Sequence, residues 1–406
     1  MSDYLRGLWR LPGGVRRFLI TEALYGIGIG LYSLVLNLHL LAKGLKEDQV
    51  GALVSAGILV MGLLAIPVSL LANRFGRKKL LVTGILFIAA GNILYAFTEA
   101  IAYFYVAQML VSIGLTLVET TEVQLLFHYC ASRRDEVRAF SLMFAVFTAF
   151  TGAGTLIAGY LPSGSGDGDG YRTALLLAGL VFILHGVIRG LVLPAECGGT
   201  RTADEPRAIR TQERLSDWKQ KLPSAKMWLF ALLLALLGGA IAITGSYLNV
   251  IVKFRLDWPD DNVSLLLAVA GIFLFASSLL TPYIMERFGP HRAIISVFLL
   301  NIALFAALFS LMPVWLFTVL FLIRGGAVTM LSNLVDSQLM SSLQEKERNL
   351  FAGMRSVFRS VGSSITAFAA GWILAGADYQ MPFLFTAVVL GVGLICYMRW
   401  VRPLLD

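Results

Sequence analysis

Charge is scarce in this sequence: Asp, Glu, Lys and Arg make up 14% of its 406 residues. An ordinary soluble domain carries about 25%, so that class is excluded. Cysteine is scarcer still, with Cys130, Cys197 and Cys396 the complete set. Three scattered thiols give neither a disulfide framework nor a metal-ligand spacing, so no metal site is expected. The local sequence suggests no Ser/His/Asp or Cys/His constellation and contains no nucleotide-binding loop, so neither an enzyme nor a cofactor is expected. The run Gly26-Ile27-Gly28-Ile29-Gly30 lies inside an apolar stretch instead of following a strand, which makes it a helix-packing feature and not a dinucleotide loop. No small-residue cleavage site follows the first apolar run, so that run reads as an uncleaved span.

What is abundant is apolar: 57% of residues are hydrophobic, and the mean hydropathy is +0.77. Stretches of about 20 residues almost without charge recur along the chain, each long enough to cross a hydrocarbon core. They predict twelve spans, at 16–41, 50–72, 80–97, 102–129, 139–161, 171–194, 227–251, 263–285, 293–312, 314–342, 349–375 and 381–400. The runs are continuous and do not alternate, so the spans are helices and not barrel strands, and the fold class is all-α membrane protein. Most of the 33 Lys and Arg fall at the two ends and in the even-numbered connections, whereas the odd-numbered ones hold Lys43, Lys46, Arg172, Lys253 and Arg255. That asymmetry predicts cytoplasmic termini. The net charge of +8 borders membrane spans, where anionic headgroups attract it, so the expected partner is a lipid bilayer and not nucleic acid. Short loops without disulfides point to a bacterial cytoplasmic membrane and, we expect, a monomer.

Residues 195–226 form the only long polar segment and read as a cytoplasmic linker between a half at 1–194 and a half at 227–406. The halves repeat. Asn73-Arg74-Phe75-Gly76-Arg77-Lys78-Lys79 returns as Glu286-Arg287-Phe288-Gly289-Pro290-His291-Arg292, Glu122 aligns with Asp336, and Phe140 aligns with Phe351. Ser69 to Lys79 resembles the loop between spans 2 and 3 of the major facilitator superfamily, close to G-x-L-A-D-R-x-G-R-K-x-x, with the weaker echo between spans 8 and 9 that is typical there. The resemblance covers essentially the whole chain. It implies two pseudo-symmetric six-helix halves that rock about a midplane site, moving a small-molecule solute by alternating access.

The resemblance also implies a cytoplasmic gate built from Asn73, Arg74, Gly76, Arg77 and Glu136 in the first half and Glu286, Arg287 and Gly289 in the second. Arg77 would pair with Asp135 or Glu136 in the outward-open state. Asn73 stands where the family has aspartate, which removes a charge from a helix terminus and predicts a weaker latch, with Glu286 the place for the stronger one. Two further departures count against the well-marked multidrug antiporters. Leu110 precedes Gly114 where many proton-coupled members carry arginine, and the stretch Thr148 to Gly159 has glycines without a Gly-Pro.

Ionisable side chains deep in a membrane mark pathways, relays or buried pairs. The candidates for substrate and proton coupling are Glu22, Tyr25, Glu119, Glu122, Arg324, Asn333, Asp336, Arg355 and Arg359. At 1.5 Å per residue, Glu119, Arg324 and Arg359 fall near the midplane and the other charges nearer the cytoplasmic mouth. Glu119 and Glu122 share a helix face, where two close carboxylates favour holding a proton. Arg355 and Arg359 either offer a basic face to an anion or pair with the acids. His185 reads as a satisfied packing residue. The expected function is proton-coupled transport of an amphipathic or charged organic solute, with export favoured. A facilitator or symporter of organic anions and a lipid flippase on the same fold stay open.

Overall fold

The computed structural model describes residues 11–164, 170–195 and 223–405. It contains twelve helices long and apolar enough to cross a membrane, and no strand among the described residues. The first half comprises α1 (Gly13–Ala42), α2 (Glu47–Phe75), α3 (Arg77–Phe97), α4 (Ile101–His128), α5 (Arg133–Gly164) and α6 (Gly170–Val192). The second comprises α7 (Ala225–Gly245), the short α8 (Leu248–Leu256), α9 (Asp260–Phe288), α10 (Pro290–Phe309), α11 (Val314–Ser341), α12 (Glu345–Ala375) and α13 (Met381–Cys396). Residues 196–222, most of the expected linker and with it Cys197, lie outside the described residues.

The repeated basic turn has a backbone reason. Gly76 closes α2 and opens α3 with φ 86°, and Gly289 does the same between α9 and α10 with φ 76°. Side chains make that region costly, so glycine fixes both reversals. The glycines of α1 are packing devices, as expected. A methyl group at Gly30 would collide with the Thr151 carbonyl of α5, and one at Gly154 with the Ile27 carbonyl of α1. Small residues let these two backbones touch, a common solution where lipid supplies no hydrophobic drive between helices.

Span 7 departs from expectation. The continuous helix predicted over 227–251 stops at Gly245, and Tyr247 takes φ −130° before α8 begins. The apolar run gives no sign of this, because the break is held by bonds from the other half: Asn37 Nδ2 donates to the Ser246 carbonyl at 2.7 Å. Asn249 Nδ2 donates to the Leu34 carbonyl at 2.6 Å.

Even-numbered crossing puts both described ends of the chain on one side of the bundle. On the opposite side the halves are sealed. Lys253 Nζ donates to Tyr171 Oη and to Asp260 Oδ1, each at 2.6 Å, and Tyr171 donates to Asp260 Oδ2 at 2.7 Å. Between α2 and α12 with the loop after it, Ser364 Oγ donates to the Ser55 carbonyl at 2.8 Å, and Tyr379 reaches Glu47 at 3.4 Å.

Candidate functional site: a cavity between the halves

Beneath this seal lies a cavity of about 450 Å³. The first half contributes Ser33 and Leu34 of α1 and a face of α5 from Phe144 to Thr155. The second contributes the α7–α8 break, α9 from Leu267 to Leu274, and Arg324, Val328 and Thr329 of α11. Its walls are apolar with a few hydroxyls and one cation, the usual make-up of a small-molecule site.

Arg324 is 6% exposed, and Nη1 donates to Thr244 Oγ1 at 3.3 Å. Its guanidinium lies 4.5 Å from the Phe321 ring centroid and 5.7 Å from that of Phe305, while Nε has no hydrogen-bond partner. No acidic side chain among the described residues pairs with it. The guanidinium therefore has no counter-charge among the described residues.

The acids of the first half are handled differently. Arg189 of α6, fully buried, binds Glu22 through Nη2, Glu122 through Nη1 at 2.9 Å and Thr21 through Nε at 3.2 Å. Its face lies 4.3 Å from the Phe18 ring centroid. Sequence reasoning passed over Arg189 because a cation near the end of a span looks like a topological anchor. The available signal was an imbalance, two buried acids in the first half with no base assigned to them.

Glu119 and Glu122 stay within electrostatic reach of each other, as their shared helix face implies, but differ in their partners. Glu122 is held by Arg189, while Glu119, three residues earlier, is exposed and makes no hydrogen bond or ion pair. Glu119 sits deep in the bundle nonetheless, within electrostatic reach of Tyr25 and Glu122. Tyr25 is not a cavity residue: it is buried against the rings of Phe147, Phe182 and His185. His185 is buried as expected but not satisfied, since neither ring nitrogen has a partner.

In the second half Asp336 receives Arg355 at 3.1 Å and Arg359 at 3.2 Å, and Arg359 also donates to Ser332 Oγ at 2.8 Å. Of the two readings left open for these arginines, the structure shows pairing. Asn333 donates to Ser278 Oγ at 3.2 Å and lines no part of the cavity.

The expected pairing of Arg77 with Asp135 is absent among the described residues. Arg77 makes no ion pair, and Asp135 accepts from its own Ser132 cap at 2.8 Å. Glu286 is exposed with no partner among the described residues, and Arg287 donates to Tyr283 Oη at 2.8 Å. The Asn73 side chain lies outside the description. The seal on the far side accounts for this, because the implied latch belongs to the conformer closed on the termini side.

Known proteins resemble this arrangement along nearly its whole length. The chain is 20% identical over 387 residues to "Multidrug resistance protein 2" of Bacillus subtilis (strain 168), covering 92% of each. Its fold superposes on a nucleoside transporter, NupG, with TM-score 0.73 at 14% identity, covering 95% of this chain and 98% of that one. It also superposes on a bacterial homologue of the human lysosomal transporter Spinster in an inward-facing, unoccupied conformation, with TM-score 0.74 at 14% identity and 97% of each chain covered. Residues 18–365 match the Major Facilitator Superfamily, and the chain belongs to that family of transporters.

Proposed function

We propose that the protein is a proton-coupled exporter of a small organic solute, working as a monomer in a bacterial cytoplasmic membrane with both termini inside. The solute occupies the cavity between the halves, whose boundaries we place at 1–194 and 227–406. In the conformer described here the outer side is closed by the Lys253, Tyr171 and Asp260 cluster.

The observation that carries the coupling is Glu119: a solvent-accessible carboxylate deep in the bundle that no cation compensates. Closing the halves around it as an anion would strand a charge in low dielectric, so closure favours its protonated form. The adjacent cluster sets two carboxylates, Glu22 and Glu122, against one guanidinium, an excess of one acidic group. Export is supported by the similarity to a multidrug resistance protein.

Reconstitution tests this reading. Proteoliposomes loaded with candidate solutes, with and without an imposed pH gradient, should show gradient-dependent efflux. Glu119→Gln should retain solute binding while losing the response to the gradient; full gradient-driven transport by this variant removes Glu119 from the coupling role.

A further inference from the structure

Several cations within the spans or at their edges have counter-charges. Arg189 has Glu22 and Glu122, Arg355 and Arg359 share Asp336, and Lys253 has Asp260. Arg324 has none. It offers five N–H donors, of which one is engaged by a neutral hydroxyl at 3.3 Å, and its buried Nε is without a partner. An unpaired guanidinium shielded from water is strongly unfavourable, and two flanking aromatic faces compensate only in part. Such a group persists where a ligand completes it.

The surroundings restrict what that ligand is. Among the described residues Arg324 is the only cation on the cavity wall, so one negative charge matches it. Thr244 accepts from Nη1, which leaves its own hydroxyl proton for a second oxygen. Across the cavity Phe144 and Phe147 present rings, and Leu34 and Leu248 present aliphatic surface. A planar two-oxygen anion suits the guanidinium fork, and an apolar body suits the opposite wall.

We infer that the transported solute is a small organic monoanion, a carboxylate or sulfonate on an aromatic or aliphatic body, whose charged group is bound by Arg324. The inference rests on the reading of the cavity as the solute site and adds the solute's chemical class.

The test uses the purified full-length protein in detergent and a panel of benzoates and arylsulfonates. Each is paired with its neutral amide or sulfonamide and with a benzylammonium of equal size. The anions should raise the thermal unfolding midpoint and bind about ten- to a hundredfold more tightly than their neutral partners, as charge-assisted hydrogen bonds imply. Arg324→Gln should erase that preference without lowering the unfolding midpoint of the empty protein, because it removes an unpaired charge. Arg324→Lys should keep part of the preference, and it serves as the reporter if the glutamine variant does not fold. Equal binding of anions and amides by the unmodified protein overturns the inference, as does anion binding that survives both substitutions. Efflux from proteoliposomes separates the two readings. Anions that bind through Arg324 and cross without any response to the pH gradient would sink the proton-coupled reading and leave this inference standing. A transported cation that no anion displaces would do the reverse.

Discussion

Glu122 and Asp336 occupy equivalent places in the repeat, yet their surroundings carry opposite charge. In the first half two acids close on one arginine, and Glu119 stands free beside them, so that side is acidic. In the second half two arginines close on one acid, and Arg324 stands free nearer the cavity, so that side is basic. The partners also come from non-equivalent helices, α6 in one half and α12 in the other. Duplication preserved the acid; the base was supplied separately. A conserved backbone plan therefore constrains charge placement weakly, and the two halves are free to divide proton handling from anion handling.

Depth of burial gives the two clusters different energetic weight, and substitution can measure it. The largest effect should come from Arg189→Met, which leaves Glu22 and Glu122 facing each other without a counter-charge, a loss of about 3–5 kcal/mol. Thermal unfolding in detergent reads this, and adding Glu22→Gln and Glu122→Gln should restore most of it. If the single variant is as stable as the parent, the contrast between the clusters collapses. Asp336→Asn should cost less, about 1.5–3 kcal/mol, because it removes charge-assisted bonds from arginines that water still reaches. Arg355→Gln should fall at about 1 kcal/mol or below, since its side chain is 37% exposed and Arg359 remains on Asp336. Arg359→Gln should exceed it in the same assay, and the reverse order would show that exposure does not rank these bonds.

The smallest effect is a rate. Burial, then Glu136 and Asp135, push the Cys130 thiol up to about 11. Maleimide labelling of Cys130 should thus be slow at pH 7 and rise about tenfold per pH unit toward that value, because only the thiolate reacts. Glu136→Gln should speed labelling a few-fold at fixed pH, and an unchanged rate would free Cys130 of that acid's influence.

The fold was legible because its signals are local. Apolar length marks a span, and Gly76 and Gly289 mark reversals that other residues resist. The charged residues were also legible as candidates, since a carboxylate in a greasy run is conspicuous. Their partners were not. Arg189 meets Glu22 and Glu122 across more than sixty positions of sequence, and its place near a helix end disguised it as an anchor. The split between Glu119 and Glu122 was hidden too, because helical spacing places both on one face without saying which of them another helix will claim. The break after Gly245 depends on Asn37, far away in the chain, so no window around it could reveal it.

That break has a consequence for how the sealed side, opposite the chain ends, opens. Asn249 and Lys253, which hold the seal, both ride on α8, nine residues detached from α7 by the turn at Ser246 and Tyr247. Releasing α8 is a local event on the scale of a loop, whereas swinging six helices is collective and slower. Opening of that side should thus divide into two kinetic steps, an early unclasping of α8 and a later separation of the helices packed across the two halves.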